Sequence, residues 1–254
     1  MLQTMFKRKS RFNRYDDDLF IVEFPKSGVT WLTNILSNII YAKNDLSIEP
    51  NFFNVGDIVC DIHTQKAEFH RKLEFPGFHI YKSHEAYNPT YKKVIYLWRD
   101  PMQCLRSYYR MLVGLGEYDG SFSEFIAHPD YGVEAWCSHV ESWIFRSSMQ
   151  QRMIFLEYEK LTDNSLSEIL NLTSNLGWNV TEELVQVALD KSSMKNMTFH
   201  ENQRFMSDPR WAIRVSKSYR FVGNKTNIET SKIDERYVTE RSTQLVEELK
   251  NYAL

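Results

Sequence analysis

The chain has 254 residues, 43% of them hydrophobic and 25% charged, and a formal net charge of −2. A chain of this length can bury one large core without disulfide bonds, so we expect a single globular domain. The near-neutral charge argues against a dedicated nucleic-acid binder, and the lack of any run of about 18 apolar residues argues against a membrane span.

The amino-terminal sequence and the cysteines indicate a cytoplasmic protein. Residues 1–18 are predicted to form a basic arm, because five of the first 14 residues are Lys or Arg. This arm lacks the apolar segment of a signal peptide. The three cysteines, Cys60, Cys104 and Cys137, are odd in number and far apart, which is typical of reduced thiols.

The first predicted strand and helix enclose a short loop that we interpret as a phosphate-binding site. Residues 19–22 are apolar and predict a buried strand, and the apolar spacing over 31–40 predicts an amphipathic helix. A short loop between a strand and a helix directs backbone N–H groups at an anion. Lys26 adds a charge, and Ser27 and Thr30 add hydroxyl groups. The loop is not a Walker A motif, G-x-x-x-x-G-K-(S/T), because its glycine follows the lysine.

The rest of the chain predicts strands and helices in alternation. The strands are expected at 78–81, 93–98 and 153–156, and the helices at 61–73, 102–113, 133–149, 165–176, 181–189 and 233–252. This alternation predicts an α/β fold, a P-loop-like doubly wound parallel sheet flanked by helices, in a single domain over 19–254. Ligands of such folds bind at the carboxyl ends of the strands.

Residues that can bind anions follow three of the predicted strands. Lys26 follows the first, Lys82 and His84 follow the second, and Arg99 follows the third. Ser107 lies about two turns into the next helix. Each could have a structural role alone, as a solvated strand end or an ion-pair partner. Together at one sheet edge they indicate a site for a ligand with at least two anionic groups.

The segment 200–225 is irregular in pattern and strongly basic. It carries six Lys or Arg residues against two acidic ones. We interpret residues 200–230 as a mobile lid over an anionic ligand. The alternative is an exposed, partly disordered loop.

Several motifs resemble one known family, the PAPS-dependent sulfotransferases of the soluble, cytosolic type, whose donor is 3′-phosphoadenosine 5′-phosphosulfate (PAPS). Residues 25–31 are similar to the family's P-K-S-G-T-T-W loop, and 81–84 to its catalytic K-T-H segment. Residues 94–109 resemble V-x-Y-x-x-R-(N/D)-x-x-D-x-x-x-S-Y-Y, 155–159 resemble F-x-x-Y-E-D, and 192–197 resemble T-S-F-x-x-M. The motifs occur in the family's order.

The resemblance implies which residues bind the donor and which act on it. His84 would be the general base, with an imidazole pKa of about 6.5 suited to neutral pH. Lys26 and Lys82 would stabilise charge on the departing phosphate, and no metal is expected. The other donor-binding residues would be Ser27, Gly28, Val29, Thr30 and Trp31 of the loop, Arg99 and Ser107 at the 3′-phosphate, Tyr158 with Trp31 near the adenine, Ser192 and Met194 beside the base, and Arg220, Phe221, Val222 and Gly223 of the late segment.

Two departures from the family's motifs concern donor binding. Val29 replaces a threonine of the loop, which removes a hydroxyl but keeps the backbone N–H. The family's late R-K-G-x-x-G-x-W-K signature is absent, and residues 219–225 instead resemble the F-V-G variant of some bacterial sulfotransferases acting on glycopeptides. Arg220 is the candidate for the 3′-phosphate clamp there, with Arg214 as the alternative.

The sequence leaves the acceptor and two other functions open. The resemblance implies a small-molecule or saccharide acceptor, reacting through a hydroxyl or an amine and bound by loops at 43–60, 85–92 and 114–132. A homodimer is also left open. One alternative is an ATP-dependent P-loop kinase, against which the missing Walker A spacing counts. The other is a non-catalytic protein that binds the product 3′-phosphoadenosine 5′-phosphate (PAP), against which Lys26, Lys82 and His84 count.

Overall fold

The structure, a computed structural model, describes residues 15–51, 53–63, 72–146, 152–207, 220, 222–223 and 228–252. Its strands are β1 (Leu19–Glu23), β2 (Val59–Asp61), β3 (Ile80–Ser83), β4 (Lys93–Trp98) and β5 (Arg152–Glu157). They form one sheet in the order β2-β3-β1-β4-β5, and every neighbouring pair is parallel. The order puts β1 in the middle, so the ends of its neighbours surround its carboxyl end.

The central strand β1 is buried along its whole length. Phe20 and Val22 face one hydrophobic core, and Leu19 and Ile21 face a second core on the other side of the sheet. A parallel strand covered on both faces requires a continuous apolar sequence, which these four residues provide. Glu23 is the exception, because it ends the strand with a carboxylate that is only 2% exposed.

Helices cover both faces of the sheet. They are α1 (Val29–Asn44), α2 (Pro101–Gly114), α3 (Phe122–Ile126), α4 (Val133–Arg146), α5 (Tyr158–Asp163), α6 (Ser165–Asn175), α7 (Glu182–Lys191), α8 (Met194–Ser207) and α9 (Lys232–Tyr252). One core contains side chains from α1, α6 and α7, and the other contains side chains from α2, α3, α4 and α9. The prediction of a doubly wound α/β fold is therefore confirmed. Among the described residues, no helix has the length and apolar character needed to cross a bilayer.

The region predicted as a helix at 61–73 differs from that prediction at its start. Asp61 ends strand β2, which pairs with β3, and residues 64–71 lie outside the described residues. A strand of three residues is too short to show an alternating pattern, so only its pairing reveals it. The short helix α3 was also not predicted, although Ser121 and Glu124 form a capping box at its start.

The late irregular segment begins further along the chain than the sequence indicated. Helix α8 continues to Ser207, so residues 200–207 are helical. The reason is tertiary packing: Met197 and Glu201 lie one turn apart on the helix and are both buried. Most of the remainder of the predicted lid, and the amino-terminal arm up to residue 14, lie outside the described residues.

We call the carboxyl ends of the strands and the residues that follow them the carboxyl edge. It consists of residues 23–28, 82–85, 98–100 and 157–159. The predicted catalytic residues all lie on this edge.

Candidate active site

The loop between β1 and α1 turns sharply through two residues with a left-handed backbone. Lys26 and Gly28 have φ values of 77° and 119°. A Cβ atom at position 28 would lie 2.3 Å from Cδ2 of Tyr158, so only glycine fits beneath that ring. The turn brings Lys26 and the start of α1 to the carboxyl edge.

Two side chains hold this loop in place from below. The buried Ser27 hydroxyl donates a hydrogen bond to the Phe24 carbonyl at 2.9 Å. The Cys104 thiol donates to the Pro25 carbonyl at 3.2 Å, and burial raises the pKa of Cys104 to about 12, which keeps it a thiol. The Ser27 hydroxyl, which the sequence assigned to an anion, is thus used by the loop's own backbone. The exposed Thr30 lies at the start of α1.

The buried carboxylate of Glu23, which the sequence analysis did not single out, lies against the start of α1. Its Oε2 accepts a hydrogen bond from the Val29 N–H at 2.7 Å. That N–H was expected to remain available to the donor, and Glu23 uses it instead. Burial raises the pKa of Glu23 to about 7, opposed by this hydrogen bond and by the charges of Lys26 and Lys82. Glu23 therefore gains or loses its charge near neutral pH.

His84 follows β3, and its ring contacts Glu23. The Nδ1 atom is 3.3 Å from the Glu23 carbonyl oxygen and 3.8 Å from Oε1 of the Glu23 carboxylate. Because a carbonyl oxygen can only accept, this contact favours the tautomer with the hydrogen on Nδ1 and the lone pair on Nε2. Within the described residues, Nε2 makes no hydrogen bond.

The pKa of His84 differs from the ordinary value assumed from the sequence. Burial and the neighbouring charge of Lys82 lower it to about 3. The assumption of about 6.5 is therefore wrong for this site, because an imidazole that is buried beside a cation resists a second positive charge. At neutral pH His84 is uncharged, which is the form that can accept a proton.

Lys82 is held by an ion pair across two neighbouring strands. The sheet register places Asp61 of β2 opposite Lys82 of β3, and Oδ2 lies 3.2 Å from Nζ. Burial alone would raise the pKa of Asp61, but Lys82 and the His63 N–H bring it below its usual value. Burial lowers the pKa of Lys26, and the Glu23 carboxylate opposes that shift. The lysine charges are thus balanced by carboxylates.

Arg99 follows β4 and lies between two residues that follow β5. Its guanidinium carbon is 4.5 Å from the ring centroid of Tyr158, and its Nε is 3.8 Å from Oε1 of Glu159. The rings of Trp31 and Tyr158 meet edge to face, with centroids 6.1 Å apart. Ser107 is half-buried on α2, the helix that begins after Arg99. An arginine and two aromatic rings therefore border one side of the loop.

The residues expected beside an adenine base are connected to Trp31. Its ring N–H donates to the Ser192 carbonyl at 3.1 Å, and the Ser192 hydroxyl accepts from Asn38 at 3.3 Å. Ser192 is fully buried, so its position supports Trp31 from below. Met194, two residues later, is 59% exposed.

Part of the late segment is held close to Met194. The Val222 N–H donates to Oε2 of the buried Glu201 at 3.1 Å. Gly223 has a φ of 66°, and a Cβ atom there would lie 3.3 Å from Sδ of Met194. Arg220 is half-buried. The remaining predicted residues of this segment, Phe221, Arg214 and 224–225, lie outside the described residues.

The predicted catalytic residues thus come together, and carboxylates that were not predicted accompany them. Lys26 is close enough to Arg99 and Lys82 for their charges to affect its pKa. A charged residue at the end of an apolar strand was the available signal for Glu23, whereas the partner of Lys82 depends on the pairing of a three-residue strand. In the described part of the chain, no group of three or more His, Cys, Asp or Glu residues could hold a metal ion.

Comparison with known proteins gives concordant matches. A family model described as Sulfotransferase domain matches residues 16–233. The chain is 28% identical over 222 residues to Sulfotransferase 1E1 of Bos taurus, covering 80% of this chain and 74% of that protein. It is 25% identical over 202 residues to Amine sulfotransferase of Oryctolagus cuniculus, covering 74% and 65%. The fold matches mouse sulfotransferase SULT7A1 complexed with PAP with a TM-score of 0.67 at 19% identity, covering 98% of this chain and 96% of that chain.

Proposed function

The chain belongs to the sulfotransferase family, and we propose that it moves the sulfuryl group of PAPS to a hydroxyl or an amine of a small-molecule or carbohydrate acceptor, with His84 as general base. The family predicted from the motifs is confirmed, because the domain match extends over residues 16–233. What we propose beyond the family is the roles of individual residues and the class of acceptor.

The convergence of cations from separate strands on the carboxyl edge carries this proposal. Lys26 follows β1, Lys82 lies in β3 and Arg99 follows β4. PAPS has anionic groups at its 5′ and 3′ positions, so it needs cations at two separated places. Lys26 and the start of α1 suit the 5′-phosphosulfate, and Arg99 with Ser107 suits the 3′-phosphate.

The reaction is an in-line displacement at sulfur. The acceptor oxygen or nitrogen forms a bond to sulfur while the bond from sulfur to the 5′-phosphate oxygen breaks, and the electron pair leaves with PAP. Lys26 and Lys82 offset the charge that develops on the departing phosphate. The proton of the acceptor moves to Nε2 of His84, which is uncharged at neutral pH. The protein contributes mainly position and charge, as in phosphoryl transfer.

The late segment and the aromatic residues complete the proposed donor site. Trp31 and Tyr158 would flank the adenine, with Met194 at its border and Arg220 at the 3′-phosphate. Contacts that favour this arrangement are the edge-to-face rings of Trp31 and Tyr158 and the position of Gly223 against Met194. None of the three cysteines forms a disulfide, which supports action in a reducing compartment such as the cytoplasm.

Donor binding is tested by thermal unfolding with PAP, AMP and ATP–magnesium in parallel. PAP at about 100 times its dissociation constant should raise Tm by roughly 5–10 °C, because it binds only the folded chain. AMP should have a much smaller effect, because it lacks the 3′-phosphate. A larger shift with ATP–magnesium than with PAP would favour a kinase and contradict the proposal.

Transfer is tested with radiolabelled PAPS and a small panel of acceptors. A naphthol and the matching naphthylamine compare a hydroxyl with an amine on one ring system, and a glucosamine derivative and a glycopeptide aglycone represent larger acceptors. We expect label on at least one acceptor and stoichiometric release of PAP. Tight PAP binding without transfer to any acceptor would support a non-catalytic PAP-binding protein instead.

A further inference from the structure

Glu23 contacts both the start of the donor loop helix and the ring of His84. Its Oε2 is 2.7 Å from the Val29 nitrogen, its Oε1 is 3.8 Å from Nδ1 of His84, and its carbonyl oxygen is 3.3 Å from the same Nδ1. The side chain is only 3% exposed, so it cannot turn to solvent without moving the loop. One residue thus connects the donor-binding loop with the general base.

A carboxylate at this position needs an explanation, because the site binds anions. Its charge lies beside the place proposed for a phosphosulfate, which it repels, and burial of an ionised carboxylate is costly. If the only requirement were to cap the first turn of α1, an uncharged serine or threonine would serve. Capping a helix does not require a negative charge, whereas stabilising a charged His84 ring does.

We propose that Glu23 is a positioning residue of the transfer reaction, which orients the His84 ring and stabilises the imidazolium that forms when His84 takes the acceptor's proton. The proposal rests on the proposed function. Before the reaction, the Glu23 carbonyl keeps the hydrogen of His84 on Nδ1 and the lone pair on Nε2. As the bond from the acceptor to sulfur forms, the acceptor's proton moves to Nε2 and the electron pair of the broken bond leaves on PAP. The imidazolium then directs Nδ1–H at the Glu23 carboxylate, and the proton on Nε2 is later released to water.

The geometry follows the logic of an acid–histidine–nucleophile arrangement, in which the acid fixes the tautomer and supports the charged ring without taking the proton. Here the acid comes from the central strand and the histidine from the end of its neighbour β3. The ionisable groups around the Glu23 carboxylate are Lys26 of the loop, Lys82 of β3, His84, Tyr96 of β4 and Cys104 of α2. His84 also has Asp61 and His63 near it, and the Asp61 carboxylate opposes the lowering of the His84 pKa. Lys82 lowers the pKa of Asp61 below its usual value, and burial keeps Tyr96 and Cys104 uncharged. Glu23 is therefore the acid beside His84 whose pKa lies near neutral pH.

The first test measures this coupling without donor or acceptor. The chemical shifts of the His84 ring nitrogens, assigned with a His84→Gln variant, are followed from about pH 5 to pH 9. In the native protein they should show an inflection near pH 7 that reports ionisation of Glu23, whose pKa burial raises to about 7. The inflection should vanish in Glu23→Gln, where the amide can still accept from the Val29 N–H. It should persist in Asp18→Asn, a matched change of the buried acid that directly precedes β1.

The second test measures turnover with the best acceptor of the panel. Glu23→Gln should lower kcat about 10–100-fold and remove the decline of kcat at acidic pH, while the Kd for PAP stays within about threefold. A residue that only caps α1 would change PAP affinity or stability and leave the pH profile of kcat intact.

Separate outcomes contradict the inference and the proposed function. If the native ring signals show no inflection near pH 7, or if Glu23→Gln retains it, Glu23 and His84 are not coupled and the inference is wrong. It is also wrong if Glu23→Gln transfers sulfuryl groups at the native rate. If the native protein transfers no sulfuryl group to any acceptor, the proposed function fails, whatever the nitrogen shifts show.

Discussion

Two acid–histidine pairs join β1 to β3, one at each end of these strands, and their surroundings differ. Asp18 binds His79 at the amino end, and Glu23 contacts His84 at the carboxyl end. Each histidine follows its acid by 61 residues, because the parallel register of the two strands imposes that spacing at both ends. The two pairs therefore both combine a carboxylate with a histidine and share the same strand register.

In the pair at the amino end, both carboxylate oxygens of the acid have hydrogen-bond partners. Oδ1 of Asp18 lies 2.9 Å from Nδ1 of His79 and 3.3 Å from the His79 backbone nitrogen, and Oδ2 accepts from the Tyr15 N–H at 2.9 Å. Asp18 is completely buried. Backbone donors and an imidazole thus compensate its charge, which is the usual arrangement for a buried structural acid.

The pair at the carboxyl end is longer and lies between cations. The distance from Oε1 of Glu23 to Nδ1 of His84 is 3.8 Å, Lys26 and Lys82 are the cations near the acid, and the Asp61 carboxylate acts on the histidine. Burial raises the pKa of the acid to about 7 and lowers that of the histidine to about 3. The comparison shows one acid–histidine pair completed by hydrogen bonds and one that is not, and the pair without complete hydrogen bonds is the one for which we propose a chemical role.

The largest expected effect separates the two histidines. His84→Ala should lower turnover about 10²–10⁴-fold, the usual loss for a general base, with PAP binding nearly unchanged. His79→Ala should keep turnover per folded molecule and lower thermal stability. Steady-state kinetics and PAP titration of both variants check the contrast. Native turnover of His84→Ala with a true acceptor would rule out His84 as the base.

The next effect concerns stability and pH at Glu23. A carboxyl whose pKa rises from 4.5 to about 7 on folding contributes stability that is present below pH 4.5 and lost as pH rises through about 7. The shift corresponds to about 3 kcal/mol. Glu23→Gln has no such loss, so its free energy of unfolding should exceed the native value at about pH 8 and approach it at about pH 5. Urea unfolding at both pH values measures the difference, and a constant gap would contradict the shift.

A smaller effect separates two cations at opposite ends of β4. Arg99→Ala should weaken PAP binding about 10–100-fold, because charged hydrogen bonds to the 3′-phosphate are lost, and should leave AMP binding nearly unchanged. Lys93→Ala, at the amino end of the same strand, is the matched control and should bind PAP normally. Calorimetric titrations of both variants with PAP and AMP measure these changes in affinity. An equal loss for PAP and AMP would show that Arg99 does not bind the 3′-phosphate.

The contrast between the two ends of β1 and β3 also shows which features can be predicted from the sequence. The strand at 93–98 and the Thr181 cap of α7, which accepts from the Leu184 N–H at 3.3 Å, follow from local patterns and agree with the structure. The loop with Lys26 was found in the same way. Local apolar periodicity and capping residues determine such elements, so residues close together in the sequence are enough to predict them.

The features that could not be predicted from the sequence depend on residues that are far apart along the chain. Asp61 meets Lys82 only because a three-residue strand adds to the sheet edge. The shifted pKa of His84 results from burial and from Lys82, neither of which is visible in the local sequence. In the sequence Glu23 is only a polar residue after an apolar strand, and its contacts with Val29 and His84 arise from the tertiary structure. Burial and pairing across the sheet are tertiary properties.

The smallest effect tests the pair at the amino end. In Asp18→Asn the new amide NH₂ cannot accept from the Tyr15 N–H, so this partly buried donor loses its hydrogen bond to a carboxylate, and we expect a destabilisation of about 1–3 kcal/mol. At alkaline pH the expected change in the free energy of unfolding has the opposite sign to that of Glu23→Gln, although both variants replace a buried acid at an end of β1 by its amide. Turnover per folded molecule should be native, since the pair lies at the other end of the strand from His84. If Asp18→Asn instead lowered kcat as Glu23→Gln does, the loss would reflect general disturbance of β1, and the distinction between the two ends would be lost.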